Sequence, residues 1–152
     1  MKKILATILA LVLALGLCSV SWAEGTTQST LQSRIDAAGN TETTVALTGN
    51  VTESITVGSG QSIILDLKGY TLTNAAGRHT ITNNGTLTIK DSSEGKTGTV
   101  DNVTHAHAAI YNNGTMTLEG GSYTRSAEKS SEPNRNSWYV IYNKGELTTY
   151  DG

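Results

Sequence analysis

Apolar and polar residues alternate with a period of two in several short stretches of the chain. Residues 86–90 read Thr-Leu-Thr-Ile-Lys, and residues 115–118 read Thr-Met-Thr-Leu. This alternation predicts β-strands with one buried side and one solvent-facing side. Threonine suits the outer side because its β-branch fits the pleat of a strand.

The strands belong to a repeated unit of strand, Asn-rich turn and strand. The unit occurs at residues 81–91, 110–120 and 141–151. Its turn glycines recur at spacings of 29 and 31 residues and are Gly85, Gly114 and Gly145. Glycine and asparagine tolerate positive φ, so we expect a sharp bend at each turn. Strand units with a period in this range are typical of a solenoid, a propeller or an array.

In a solenoid, equivalent residues of successive turns lie above one another. We therefore expect a ladder of hydrogen-bonded amides at Asn83, Asn112 and Asn143. We also expect a dry apolar column at Leu87, Met116 and Leu147. The alternative is a series of antiparallel hairpins, because Asn-Gly is also a strong hairpin signal. The recurrence favours an all-β fold, a right-handed parallel β-helix.

Upstream residues continue the pattern in weaker form. Residues 62–73 resemble an earlier, degenerate turn that bends at Lys68-Gly69, and residues 43–48 and 54–57 are short strand candidates. Before them, residues 30–38 predict a short helix, with Leu31 and Ile35 on one face and Thr30 or Ser29 as N-cap. Such a helix would cap one end of the solenoid, where apolar side chains and strand edges are otherwise exposed.

The first 23 residues have the order of a secretion signal. Two lysines precede a nearly unbroken apolar run at residues 4–17, and Ala23 supplies a small residue for cleavage before Glu24. We expect a secreted or cell-surface protein with no membrane span after cleavage. The single cysteine, Cys18, would leave with the signal, so the mature chain would have neither a thiol nor a disulfide.

We therefore divide the chain into three parts. Residues 1–23 are the signal peptide, residues 24–40 form the N-terminal cap, and residues 41–152 are the β-helix repeats. No second cap follows the third unit, so we expect the repeats to be truncated at the C-terminus. In a complete chain, the uncapped end would instead drive self-association. Residues 126–137 have no strand pattern and are expected to project as a loop.

The repeat units resemble a known family. Residues 65–72, Leu-Asp-Leu-Lys-Gly-Tyr-Thr-Leu, are followed by the Asn-Gly-Thr-Leu-Thr units. Together these resemble the pectin-lyase-like right-handed β-helix repeats of large secreted and surface proteins of bacteria, over residues 28–152. The resemblance implies either a polysaccharide lyase or glycosidase, or an adhesive stalk without catalysis.

Charged residues favour the non-catalytic alternative. The net charge of -2 becomes −4 without the signal lysines, and this mild acidity argues against a nucleic-acid partner. The acids are scattered along the chain, at Asp66, Asp91, Asp101, Glu119 and Asp151. A glycosidase needs two carboxylates at a defined separation. We expect Lys90 and Asp91 to be solvated turn charges, and we assign no catalytic residue.

Histidines and aromatic residues are the remaining candidates. His105 and His107 share a strand face and His79 could lie one turn away, but we expect turn-edge histidines and neither a metal site nor a cofactor. The aromatic residues proposed to bind a ligand are Tyr111, Trp138, Tyr139 and Tyr142. A ring platform beside polar groups binds sugars, whereas the alternative is that these rings only pack the solenoid wall.

We therefore expect a non-catalytic β-helix segment of an extracellular bacterial protein that acts as a scaffold or adhesive module. Its partner would be a polysaccharide or a cell-surface glycan. The alternative function is the N-terminal part of a polysaccharide lyase or glycoside hydrolase, with its active site on later turns.

Overall fold

A computed structural model of the chain describes residues 29–75, 77–126 and 139–150. The predicted signal peptide therefore lies outside the described residues, as does nearly all of the predicted loop. Within the described residues, one helix, α1 (Leu31–Asp36), precedes the strands. The strands are β1 (Thr43–Ala46), β2 (Val51–Thr52), β3 (Ile55–Val57), β4 (Ser62–Asp66), β5 (Thr71–Thr73), β6 (Ile81–Asn83), β7 (Thr86–Lys90), β8 (Thr99–Asp101), β9 (Ile110–Asn112), β10 (Thr115–Leu118), β11 (Ser122–Thr124), β12 (Ile141–Asn143) and β13 (Glu146–Thr149).

The strands form three parallel sheets. Sheet 1 has the order β1-β4-β7-β10-β13, sheet 2 has β11-β8-β5-β2, and sheet 3 has β12-β9-β6-β3. Each consecutive group of three strands thus visits the three sheets once and makes one turn of a solenoid. The predicted parallel β-solenoid is confirmed, and the antiparallel hairpin alternative is wrong. A right-handed coil stays our expectation, because parallel crossover connections are almost always right-handed.

The apolar columns run through the interior in register. Met116 pairs with Leu87 on one side and with Leu147 on the other. Leu87 and Met116 are each 1% exposed, but Leu147 is 36% exposed. The predicted column is therefore present, while its last member is not dry, because no further strand covers β13 within the described residues.

The number of residues per turn varies, and the connections at the corners between sheets account for the variation. Thr43 pairs with Ile63, twenty residues on, whereas Thr115 pairs with Glu146, thirty-one residues on. The strands nevertheless stay in register, because the additional residues lie between strands. The short strands β2, β8 and β11, all in sheet 2, were not predicted from the sequence, since two or three residues carry too little alternation to be recognised.

The turn glycines serve close packing instead of positive φ. Positive φ occurs elsewhere, for example at Lys68 (52°) and Gly69 (80°), but not at the three glycines of the repeat. A Cβ on Gly114 would overlap the carbonyl oxygen of Gly85, and a Cβ on Gly145 would overlap that of Gly114. The chain therefore bends here without positive φ at these glycines, and glycine is needed because successive turns touch through their backbones.

Buried asparagines connect the turns at the corner between sheets 3 and 1. Asn83 Nδ2 donates to Asn112 Oδ1 over 2.7 Å, and Asn112 Nδ2 donates to Asn143 Oδ1 over 2.6 Å. Asn83 and Asn112 are fully buried. The same amides also donate to the backbone carbonyls of Thr115 and Glu146 on the following strands. The ladder expected from the repeat is thus present in the structure.

A second pair of buried asparagines lies at the corner between sheets 2 and 3. Asn74 Oδ1 accepts from the amide of Val103 on the next turn over 2.7 Å. Asn102 Nδ2 donates to the carbonyls of Arg78 and Ala108, each over 3.0 Å. Both asparagines are 1% exposed. No repeated sequence pattern marked this pair, because the connections around it differ in length from turn to turn.

Aspartates take the same role at the corner between sheets 1 and 2. Asp66 Oδ1 accepts from the amide of Ser92 on the next turn over 3.0 Å. Asp91 Oδ1 accepts from the amide of Gly69 on the preceding turn over 2.9 Å, and its Oδ2 accepts from the amide of Gly98. Asp91 is only 1% exposed. The expectation of a solvated turn charge at Asp91 was wrong, because the backbone amides freed where the strands end require a buried acceptor.

These hydrogen bonds also determine how the aspartates titrate. Burial alone would raise the pKa of each carboxyl, but the hydrogen bonds outweigh it and hold the pKa values of Asp66 and Asp91 below the ordinary value. The donors are Ser93, Gly98 and Gly69 for Asp91, and Ser92 and Lys68 for Asp66. Both groups therefore remain charged inside the fold.

Helix α1 caps the end of the solenoid at which β1, β2 and β3 are the edge strands. It is shorter than the predicted residues 30–38, but Thr30 is its N-cap and both Leu31 and Ile35 are buried, as expected. The Gln32 amide accepts from the backbone N–H of Thr56 over 2.7 Å and donates to its carbonyl over 3.0 Å, so it pairs with edge strand β3 as another strand would. Within the described residues, no helix is long and apolar enough to cross a membrane.

We predict that Gly114→Ala destabilises the fold by about 1–3 kcal/mol, because the new methyl group must push adjacent turns apart. Gly49→Ala is the matched control, since a Cβ on Gly49 would meet no other atom within 4 Å and its φ is not positive. Urea denaturation of both variants measures the difference. Equal free energies of unfolding would show that the turns do not need this close approach.

We also predict that acid weakens the fold through the corner aspartates. Their lowered pKa values mean that the carboxylates stabilise the folded state above the unfolded-state pKa of about 4, and that this contribution is lost as the pH falls through the folded-state pKa. Asp91→Asn should cost about 1–3 kcal/mol at neutral pH, because an amide N–H₂ would replace an acceptor, and the cost should shrink below about pH 4. The control is Glu94→Gln, at an exposed position. Thermal unfolding across this pH range tests both statements, and a cost that is constant with pH would contradict them.

Candidate functional site

The outward-facing residues of sheet 3 change from threonine to tyrosine along the solenoid. Thr56 pairs with Thr82, Thr82 with Tyr111, and Tyr111 with Tyr142. These four residues occupy one column of outward positions, because their strand neighbours, such as Ile55 and Ile110, point into the core. The column therefore begins with threonines and continues with tyrosines.

The tyrosines are part of a longer row of rings, which we call the aromatic row: His79, Tyr111, Tyr142 and Tyr139. His79 stacks on Tyr111 with centroids 4.9 Å apart and planes 10° apart. Tyr139 stacks on Tyr142 at 5.2 Å and 15°. Tyr111 and Tyr142 are 5.3 Å apart and tilted by 51°. The row thus connects residues from successive turns by continuous ring contacts.

The stacking limits which parts of the rings a ligand can reach. Faces that contact another ring are covered, so the row does not form the open platform that the sequence had indicated as one possibility. The accessible parts are the ring edges and the outer surfaces of Tyr142 and Tyr139, which are 37% and 54% exposed. Trp138, the fourth aromatic residue proposed from the sequence, lies outside the described residues.

Lys144 adds a positive charge to the aromatic row. Its Nζ lies 5.4 Å from the centroid of Tyr111 and 5.3 Å from that of Tyr142, within the range of a cation–π interaction. A hydrogen bond to Tyr111 and attraction to both tyrosines raise the pKa of Lys144. Sequence reasoning missed this residue, although one signal was available: the first two repeat units have Asn84 and Asn113 at its position.

His79 was also missed as a member of this row. Its Nδ1 accepts from the amide of Ala108 over 2.9 Å, so the proton of the neutral ring is on Nε2. Burial, followed by the charges of His107 and Arg125, lowers the pKa of His79. His107 contacts it edge-on at 5.0 Å. His79 is therefore neutral at physiological pH and stacks as an uncharged ring.

The surface beside His79 is a polar groove. Hydroxyl groups, one arginine and two imidazole rings from three turns line it: Ser54, Thr56, Thr82, Arg78, His79 and His107. In the described part of the chain, no three His, Cys, Asp or Glu residues are placed to hold a metal ion. The groove is continuous with the aromatic row, because His79 belongs to both.

Three of the carboxylates considered from the sequence, all of them aspartates, have structural partners. Asp66 and Asp91 accept backbone amides at their corner, as described above. Asp101 accepts from the Thr124 hydroxyl over 2.7 Å and from the Ser126 amide over 2.9 Å. Burial alone would raise the pKa of Asp101, but these hydrogen bonds lower it overall. The structure thus uses the three aspartates to hold connections together, and Asp151 lies outside the described residues.

Comparisons with protein-family models, with curated proteins and with solved structures gave no match for this chain. The parallel solenoid is therefore established from the chain's own strand pairing.

Proposed function

We propose that this chain is a non-catalytic scaffold segment of an extracellular bacterial protein, which contacts glycans through the outer face of sheet 3. The proposal is supported by a difference between the corner residues and the outward-facing residues of the solenoid. Buried polar side chains of the corners are occupied by hydrogen bonds between turns. Outward positions of the sheets carry no such constraint, so they can vary without loss of the fold.

The observation that carries the glycan proposal is the aromatic row with Lys144. The equivalent outward positions of sheet 3 are threonines on β3 and β6, whereas they are tyrosines on β9 and β12. Exposed tyrosine edges combine apolar contact area with a hydroxyl that donates and accepts hydrogen bonds, which suits the ring and hydroxyl groups of a sugar. The adjacent groove contributes further hydroxyl groups.

The resemblance of the repeat units to pectin-lyase-like repeats supports the proposal, because that family includes extracellular proteins that act on carbohydrates. The same resemblance includes the alternative function, the N-terminal part of a polysaccharide lyase or glycoside hydrolase. Binding without cleavage separates a scaffold from an enzyme, so one experiment addresses both.

We predict that the purified chain binds at least one member of a panel of neutral and acidic polysaccharides in affinity gel electrophoresis. Tyr142→Ala should weaken this binding about tenfold, which corresponds to ~1.4 kcal/mol, because it removes the ring that connects Tyr111 to Tyr139. The fold should tolerate the change, since Tyr142 lies on the outside. Tyr150→Ala is the control, because Tyr150 is exposed but lies in a different groove, beside Tyr123.

Three results would contradict the proposal. The first is a lack of binding to the whole panel, and the second is an equal loss of binding in both tyrosine variants. The third is the release of unsaturated or shortened sugars during incubation, which would support the enzyme alternative.

A further inference from the structure

Two turns of the corner between sheets 3 and 1 present an outer asparagine to solvent. Asn84 and Asn113 follow the buried ladder residues, are exposed, and each precedes a glycine. The local sequence is Asn-Asn-Gly-Thr in both turns. The residues that directly flank each asparagine are therefore the same, and we expect a large difference in reactivity between the sites to come from the fold.

Asparagine followed by glycine can lose its side-chain amide without an enzyme. The backbone nitrogen of the glycine attacks Cγ of the asparagine, and a new N–C bond forms as the C–N bond to the side-chain nitrogen breaks. The glycine nitrogen gives up its proton, the side-chain nitrogen gains one and leaves as ammonia, and a five-membered succinimide remains. Water then opens either of its two carbonyls, which gives aspartate or isoaspartate. Glycine favours the attack because it has no side chain to obstruct it.

One hydrogen bond joins the two outer asparagines. Asn113 Nδ2 donates to Asn84 Oδ1 over 2.9 Å. The attack on Cγ places negative charge on the side-chain oxygen, and a donor directed at that oxygen stabilises the charge. Asn84 receives this donor. Asn113 supplies it, and donation makes its own amide nitrogen more electron-rich and its Cγ a poorer electrophile. The same bond therefore activates one site and deactivates the other.

We propose that Asn84 is a site of spontaneous deamidation in the folded protein, and that stacking of the turns makes it more reactive than Asn113. Both attacking glycine nitrogens donate a hydrogen bond, although to different kinds of acceptor. The amide of Gly85 donates to Asn83 Oδ1 over 3.1 Å, and the amide of Gly114 donates to the Asn83 carbonyl over 3.2 Å. The two bonds have similar lengths, and we attribute the expected difference in reactivity to the direction of the Asn113–Asn84 bond.

The product would affect the turn at a sensitive position. Isoaspartate adds a methylene group to the backbone next to Gly85, whose carbonyl oxygen lies where a Cβ on Gly114 would have to fit. The lengthened chain therefore perturbs the close contact between turns. Aspartate leaves the backbone length unchanged and retains an acceptor for Asn113, so it should be tolerated better.

The test compares the folded and unfolded chain. The purified protein is incubated at mildly alkaline pH, with and without denaturing urea, and peptide mapping by mass spectrometry quantifies deamidation at each asparagine. In the folded protein we expect Asn84 to react about three- to tenfold faster than Asn113. In urea we expect equal rates, because the local sequences are identical.

Asn113→Ala provides an independent check. It removes the donor, so the rate at Asn84 in the folded variant should fall by a similar factor, with circular dichroism used to verify the fold. An unchanged rate at Asn84 in a folded variant would overturn the proposal. So would equal rates at the two sites in the folded wild-type protein, or the absence of modification at Asn84. If the variant does not fold, the comparison between native buffer and urea decides the question by itself.

Discussion

The structure depends on satisfying backbone groups where each strand ends and the chain changes direction. A parallel solenoid frees amides and carbonyls at every corner, and a buried backbone group without a partner costs free energy. Here buried side chains supply the partners and connect adjacent turns at the same time. Asparagines do this at two corners and aspartates at the third. The hydrogen bonds at the corners therefore hold the turns in register. Because the turns are in register, the apolar residues can stack in columns.

The sequence predicted the part of the fold that repeats locally. Thr-Leu-Thr-Ile alternation and the recurring Asn-Asn-Gly identified sheets 1 and 3, the ladder at Asn112 and the parallel stacking. Three of the four strands of sheet 2, β2, β8 and β11, were missed, because they are short and their connections vary in length. The burial of Asp91 was also missed, because its partners Gly69 and Gly98 become neighbours only when the turns coil.

The candidate site, like the fold, could be predicted from the sequence only in part. The common position of Tyr111 and Tyr142 in the repeat predicted that they would be adjacent. His79 lies on an irregular connection, and its stacking on Tyr111 depends on how that connection folds back over the next turn. Lys144 reaches the rings through a flexible side chain, so its position follows from three-dimensional packing. Repeat positions were thus predictable, whereas contacts made from connections and by long side chains were not.

The most direct test of this account is the free energy of unfolding of Asn112→Ala beside that of Asn113→Ala. The two asparagines are neighbours in the chain, but only Asn112 is buried and bonded to ladder residues of both adjacent turns. Urea denaturation should show a loss of about 1–3 kcal/mol for Asn112→Ala and a change within about 0.5 kcal/mol for Asn113→Ala. Equal losses, or no loss in either variant, would contradict the claim that buried corner side chains hold the turns together.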